Sequence, residues 1–208
     1  MRKINDERIR IPVLIFCIML SFMMIFVSEG FEAADTVRNE CLRLHVLADT
    51  DSEADQTVKL KVRDAILKET EDMLLSCDSA GEAVSKVSEK TAEIKAVAER
   101  VLTENGFDYG AEVFIEQEYF GTRQYEDVSL PAGCYTALRV VLGKGEGHNW
   151  WCVMFPPLCL PAVTAEAEDS VYGVFGENGG DLVTGKNGYK VKFRIVEIVE
   201  GIIEALKA

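Results

Sequence analysis

Residues 130–159, LPAGCYTALRVVLGKGEGHNWWCVMFPPLC, constrain this chain more than any other stretch: an apolar run, three glycines in quick succession, and a second apolar run stopped by two prolines. Over residues 134–142 an extended chain points Tyr135, Ala137, Arg139 and Val141 one way and Thr136, Leu138, Val140 and Leu142 the other. So few polar side chains predict a central or nearly central strand, because a strand with one wet face alternates more cleanly. Gly143, Gly145 and Gly147 can each take the positive φ of a tight reversal. Pro156 and Pro157 have no N–H to donate to a ladder and end the second run at Phe155. The predicted unit is a β-hairpin with Trp150 and Trp151 at its mouth, their side chains on opposite faces.

The N-terminal residues differ from the rest. Arg2, Lys3, Arg8 and Arg10 precede an uncharged run over residues 11–27, which as a helix spans roughly 26 Å, the shorter end of what crosses a bilayer. Basic residues before it and acidic ones after it predict a cytoplasmic N-terminus and a body on the far side. The run reads either as a signal peptide, with Ser28 and Gly30 at acceptable spacing for cleavage, or as a retained anchor. Leu14-Ile15-Phe16-Cys17 approaches a lipidation box, but Phe16 is too bulky before the cysteine. The formal charge of −13 would repel nucleic acid, so nucleic-acid binding is excluded as a leading function.

After the apolar run, residues 41–48 alternate as a strand with Leu42, Leu44, Val46 and Ala48 on one face and His45 on the other. Ser52 can cap a helix that runs to about Leu75, and Ser79 with Glu82 forms a capping box for a second, ended by Asn105-Gly106. Residues 111–120 return to period two with Glu112, Glu116 and Glu118 outward, the pattern of a strand near a sheet edge. The predicted fold is α+β: an antiparallel or mixed sheet packed against a long two-helix hairpin, with an N-terminal transmembrane or signal helix. The predicted division is a basic stub and helix over residues 1–30, the α+β domain over 31–160, a flexible acidic and glycine-rich linker over 161–188, and a short strand or irregular entry followed by a helix over 189–208.

The chemistry-bearing residues form no complete catalytic set. A thiol hydrolase would need Cys152 as nucleophile, His45 or His148 as base, and Asp49, Asp51 or Asn149 as orienter. Outside the cytoplasm Cys152 could instead pair with Cys159 across the double proline, leaving an odd number among Cys41, Cys77, Cys134, Cys152 and Cys159. His148 and Cys152, about 13 Å apart along a strand, do not share a metal, and no cofactor or small-molecule ligand is predicted. The turn over residues 143–147 lacks the Lys-Ser or Lys-Thr of a phosphate loop and reads as a hairpin loop. Arg123, Tyr125 and Arg139 could extend a patch around an outward tryptophan; otherwise Arg139, on a largely apolar strand, calls for a carboxylate such as Asp64.

Several blocks together resemble the stage II sporulation protein R family of endospore-forming bacteria. They are residues 43–51 (RLHVLADTD), 59–66 (KLKVRDAI), 131–140 (PAGCYTALRV), and, after the glycine turn, 149–159 (NWWCVMFPPLC). Ala48-Asp49-Thr50 stands where the family has Ala-Asn-Ser, and Phe120-Gly121-Thr122-Arg123 where it has Phe-Pro-Thr-Arg. The resemblance covers roughly residues 41–159 and implies a signalling protein made in the forespore and exported into the space between the two sporulation membranes. There it would activate a membrane-embedded aspartyl protease that processes a mother-cell pro-sigma factor. On this reading the chain is not an enzyme, and its partners are that protease and, through residues 11–27, the bilayer. The expected contact residues are His45, Asp51, Arg123, Asn149, Trp150, Trp151, Phe155 and Pro156. The rival expectation is an exported thiol hydrolase acting on cell-wall peptides through Cys152.

Overall fold

A computed structural model of the chain describes residues 6–125, 128–158, 167–187 and 189–207. Helix α1 (Asp6–Asn39) is followed by strand β1 (Leu42–Leu47) and helices α2 (Glu53–Leu75), α3 (Ala80–Glu89) and α4 (Thr91–Glu104). Strands β2 (Ala111–Phe120), β3 (Arg123–Tyr125), β4 (Val128–Leu130), β5 (Gly133–Leu142) and β6 (Asn149–Phe155) come next, then helices α5 (Ala167–Thr184) and α6 (Tyr189–Lys207). The fold is α+β with a mixed four-stranded sheet in the order β2-β5-β1-β6 and a small β3-β4 ribbon.

Local signals set most of these boundaries. Ser52 caps α2 by accepting from the Asp55 N–H, and Ser79 caps α3 by accepting from the Glu82 N–H. Gly106, at φ 83°, follows the last turn of α4. The predicted second arm of the helix hairpin breaks at Lys90 into α3 and α4, and it is α4 that lies along α2. Strand β5 is central, paired to β2 on one side and β1 on the other, and β2 is an edge strand with Glu112 and Glu116 exposed, whereas Glu118, also expected outward, is half-buried against His45.

The predicted β5–β6 hairpin is corrected. Strand β1 lies between the two, parallel to β5 and antiparallel to β6, so the glycine turn is a crossover over the C-terminal end of β1. Two strand spacings are about 10 Å, a gap that the loop bridges without pairing its flanks. The loop is seated on the chain it crosses: Gly147 N donates to Ala48 O at 2.9 Å and Glu146 N to Asp49 O at 3.1 Å. A Cβ on Gly147 would collide with the Thr50 carbonyl, and one on Gly143 with the Asp49 side chain.

Both faces of the sheet are covered. On one, Leu44, Val46, Leu138, Val140 and Met154 pack against Val62, Ile66, Ile94 and Leu102 of the helices. On the other, Tyr135, Ala137 and Val153 meet Val37 of α1, Leu130 of the ribbon, and Val171 and Phe175 of α5. All six residues of β1 are buried as a result, including Arg43 and His45. Arg139 is half-buried and pairs at 2.9 Å with Glu116 on the neighbouring strand; Asp64, the expected partner, bonds Arg63 instead.

Where a flexible linker was expected over residues 161–188, the described part is α5. Val171, Phe175, Leu182 and Val183 bury a helical face across a kink at Gly176 (φ 68°), a pattern that glycine content had masked. Gly180 lets the Tyr172 ring lie against the backbone. The expected strand entry at residue 189 is helix from its start. The alternating Lys190, Lys192 and Arg194 mimic a strand, but Lys192 is buried, paired with Glu29 at 2.6 Å and lying 4.0 Å from the Tyr189 ring.

Helix α1 joins two environments. Residues such as Ile11, Phe16, Phe22 and Ile25 are exposed, and Arg10–Asn39 is long and apolar enough to cross a membrane. Farther along, Ala33, Ala34 and Val37 are buried, and Arg38 donates to the Ala132 carbonyl and to Glu200 of α6. Gly147→Ala should lower the stability of the detergent-solubilised chain by about 2–3 kcal/mol. Gly121→Ala, where a Cβ meets nothing within 4 Å, should change it little. Urea unfolding of the two variants, side by side, makes the measurement.

Candidate functional site

Two carboxylates in the β1–α2 turn and a third in the first turn of α2 organise one end of the sheet. Asp49 Oδ1 accepts from Lys144 N at 2.6 Å, and Asp51 Oδ1 accepts from the N–H of His148 at 2.6 Å and also contacts its ring nitrogen Nδ1. Lys59, buried on α2, donates to the His148 carbonyl at 2.9 Å. The amides of the glycine loop are thus taken up by this chain's own aspartates and carbonyls. Asp51 is exposed and its carboxyl lies below the ordinary range, chiefly because of the hydrogen bonds from His148.

Asp55, in the first turn of α2, accepts from Thr50 Oγ1, from Ser52 Oγ at 2.8 Å and from the Tyr109 hydroxyl at 2.6 Å. These bonds, Thr50's first, hold its carboxyl below the usual range although burial pushes the other way.

Strand β6 is the outermost strand beside β1, and its alternation sends its two tryptophans to opposite sides. Trp150 faces α2, where the Arg63 guanidinium stacks 4.3 Å from its ring centroid. Trp151 lies opposite His45 across the ladder and carries the Arg123 guanidinium 4.1 Å from its ring centroid. A groove of about 550 Å³ follows this edge, walled by Leu67, Tyr125, Trp150, Trp151 and Leu158.

Beneath the Trp151 side lie two buried polar groups. His45 Nδ1 is 2.7 Å from Glu118, its ring 5.8 Å from that of Trp151, and its Nε2 has no hydrogen-bond partner. Arg43 is wholly buried: Nε donates to the Cys152 carbonyl at 3.1 Å, Nη2 to the Tyr125 hydroxyl at 2.7 Å, and Nη1 to nothing. The rings of Phe120, Tyr135 and Tyr125 surround its guanidinium at 4.3, 5.0 and 5.6 Å.

The structure therefore gathers His45, Arg123, Trp150 and Trp151 around one edge, with Asp51 and Asn149 at the crossover end of β6. Phe155 and Pro156, expected as contact residues, are core residues and offer a partner no surface, because β6 is buried on both faces from Cys152 onward. Arg43 escaped sequence reasoning, although an arginine between two leucines of an apolar strand was a usable signal. The pieces of a thiol site do not meet. Cys152 is disulfide-bonded and pairs with Leu44 on the face covered by α2, whereas His45 and Trp151 share the opposite face. The other half of the expected pairing, Cys159, lies outside the described residues. Burial pushes the Cys41 thiol up to about 12. Among the described residues no three His, Cys, Asp or Glu side chains are placed to hold a metal ion.

An acidic α+β domain on a long apolar helix, with paired tryptophans at a sheet edge, is the class of protein that these observations define. The family model for stage II sporulation protein R matches residues 38–165, and the chain belongs to that family. The Stage II sporulation protein R of Bacillus subtilis (strain 168) is 38% identical over 124 residues, which cover 60% of this chain and 55% of that relative. The chain thus spans little more than half the length of the curated relative it matches. No solved structure matches. Both α5 and α6 lie wholly beyond the family match.

Asp55→Asn should cost about 1–3 kcal/mol at neutral pH, since it weakens three hydrogen bonds to a charged acceptor. A carboxylate with a depressed pKa stabilises the fold above its ordinary range and loses that contribution as pH falls through the depressed value. The gap between parent and variant should therefore shrink below about pH 4, as read from urea midpoints over a pH series.

Proposed function

We propose that this chain is an exported sporulation signal that acts by being recognised, and that its partner is a membrane-embedded aspartyl protease that processes a mother-cell pro-sigma factor. On this reading the body lies outside the cytoplasm, between the two sporulation membranes, and α1 serves as its signal or anchor. Membership of the stage II sporulation protein R family supports the setting. The apolar half of α1, followed by acidic residues, supports export.

The observation that carries the reading is the sheet edge at β6. Two adjacent tryptophans there, each stacked by an arginine, wall an open groove, and aromatic and arginine side chains are the types that dominate binding energy at protein contacts. A non-catalytic role is supported by the disulfide at Cys152 and by the sheet that separates its side chain from His45. The contact surface is accordingly Trp150, Trp151 and Arg123, with Asp51 and Asn149 at its rim and His45 as support beneath Trp151.

Co-expression of the chain with the candidate protease and a pro-sigma substrate in a non-sporulating host provides the assay. Trp151→Ala should reduce processing by about tenfold or more while the purified protein keeps its cooperative unfolding. Full processing by that variant would refute the placement.

A further inference from the structure

Arg43 is set apart from the other buried cations by its lack of any ionic or carbonyl-rich nest. Lys192 has Glu29, Arg38 has Asp35 and Glu200, and Lys59 has two oxygen acceptors. Arg43 has one carbonyl, one phenol and three aromatic rings, and one of its nitrogens bonds nothing. A guanidinium stays charged in any protein environment, so this is a net positive charge held in the interior without an anion. It sits directly under the groove: both groups it donates to, the Tyr125 hydroxyl and the Cys152 carbonyl, belong to groove-lining residues.

Tyr125 passes that charge on. Its oxygen accepts from Arg43, which leaves its own O–H to donate, and burial pushes the phenol's pKa up despite Arg43, so the proton stays in place. Among the described residues no acceptor takes that proton. At the other side of Trp151, Arg123 is exposed and stacked on the indole, and no described carboxylate pairs with it. The acidic groups nearby are engaged or distant in role: Asp64 is tied to Arg63, Glu118 to His45, and Glu71 stands on the α2 wall beside Lys68.

We infer that the groove is a receptor for a carboxylate carried next to an apolar group, the chemistry of an aspartate or glutamate flanked by an apolar side chain on the partner. The apolar group fills the space between Leu67, Trp150 and Leu158. The carboxylate accepts from the Tyr125 hydroxyl and from the Arg123 guanidinium, and the field of Arg43 stabilises it from below. An acidic chain otherwise repels acidic partners, so the pair of arginines also selects where such a partner docks. This inference rests on the groove being the contact surface proposed above.

Both tryptophans of the chain flank the groove, so indole emission reports on it alone. The full chain in lipid nanodiscs is titrated with 3-phenylpropionate and, separately, with the isosteric neutral 3-phenylpropanamide. The acid should give a saturable emission change at about tenfold lower concentration than the amide. Arg123→Gln and Tyr125→Phe should each bring the acid to the level of the amide. Arg43→Met should do the same while leaving the urea midpoint unchanged or raised, since a buried charge without an ionic partner is replaced by an apolar chain of similar length. Equal responses to acid and amide, or an acid preference that survives Arg123→Gln and Tyr125→Phe, would overturn the inference. Loss of processing in Trp151→Ala with no acid preference sinks the carboxylate site and leaves the contact surface standing. An intact acid preference alongside full processing by Trp151→Ala does the reverse.

Discussion

Two aspartates and a glycine loop determine which strand ends up at the edge of this sheet. Asp49 and Asp51 accept from the backbone of residues 144 and 148, and the close approach of Gly147 to Thr50 lets the loop lie flat across the end of β1. With the crossover held there, β1 occupies the centre and β6 is displaced to the rim. Had the same six-residue connection closed as a hairpin, β6 would have paired with β5, and Trp150 and Trp151 would have stood in the middle of the sheet. The groove is therefore a consequence of the loop's seat on the β1–α2 turn, some distance along the chain from the tryptophans themselves.

Covering both faces of that sheet creates the second constraint. Once α1, α5 and the β3–β4 ribbon close over the face that bears Arg43 and His45, neither side chain can reach water. Aromatic rings offset part of the cost of a buried guanidinium, each by about 0.5–2 kcal/mol, but they do not supply a counter-charge. The interior positive charge and the rim arginine on Trp151 thus form a local field opposite in sign to the net charge of the chain. That field lies beside the one sheet edge flanked by both indoles.

Local patterns were legible in the sequence; non-local pairing was not. The caps at Ser52 and Ser79, the exact span of β2, the central place of β5 and the stop before Pro156 all follow from residues within a few positions of the feature. Strand order does not, because a glycine-rich loop fits a hairpin and a crossover equally well and only the partner segment, Asp49 to Asp51, distinguishes them. The same limit applies to α5, whose buried valines and phenylalanine are interrupted by glycines that pack closely against Tyr172 and Phe175. At the site, Trp150, Trp151 and Arg123 could be found by residue type, whereas Phe155 and Pro156 were misplaced because an apolar strand end looks the same at a surface as in a core. Arg43 stands out locally between two leucines, but its full burial depends on cover from segments distant in the chain.

The packing of α1 separates two properties that its sequence runs together. Among the described residues, full burial in this helix begins at Gly30, where the missing side chain lets Lys192 lie close, and continues through Ala33, Ala34 and Val37. The apolar residues before Val27 touch the body hardly at all, apart from the Phe26 ring near the Lys192 ammonium at 4.9 Å. The core therefore depends on the second half of the helix and the membrane affinity on the first. Ser28 and Gly30, the small residues that suit a cleavage site, fall at this junction, so a cut there would leave Val37 and the layers under the groove in place while taking Glu29 from the buried Lys192.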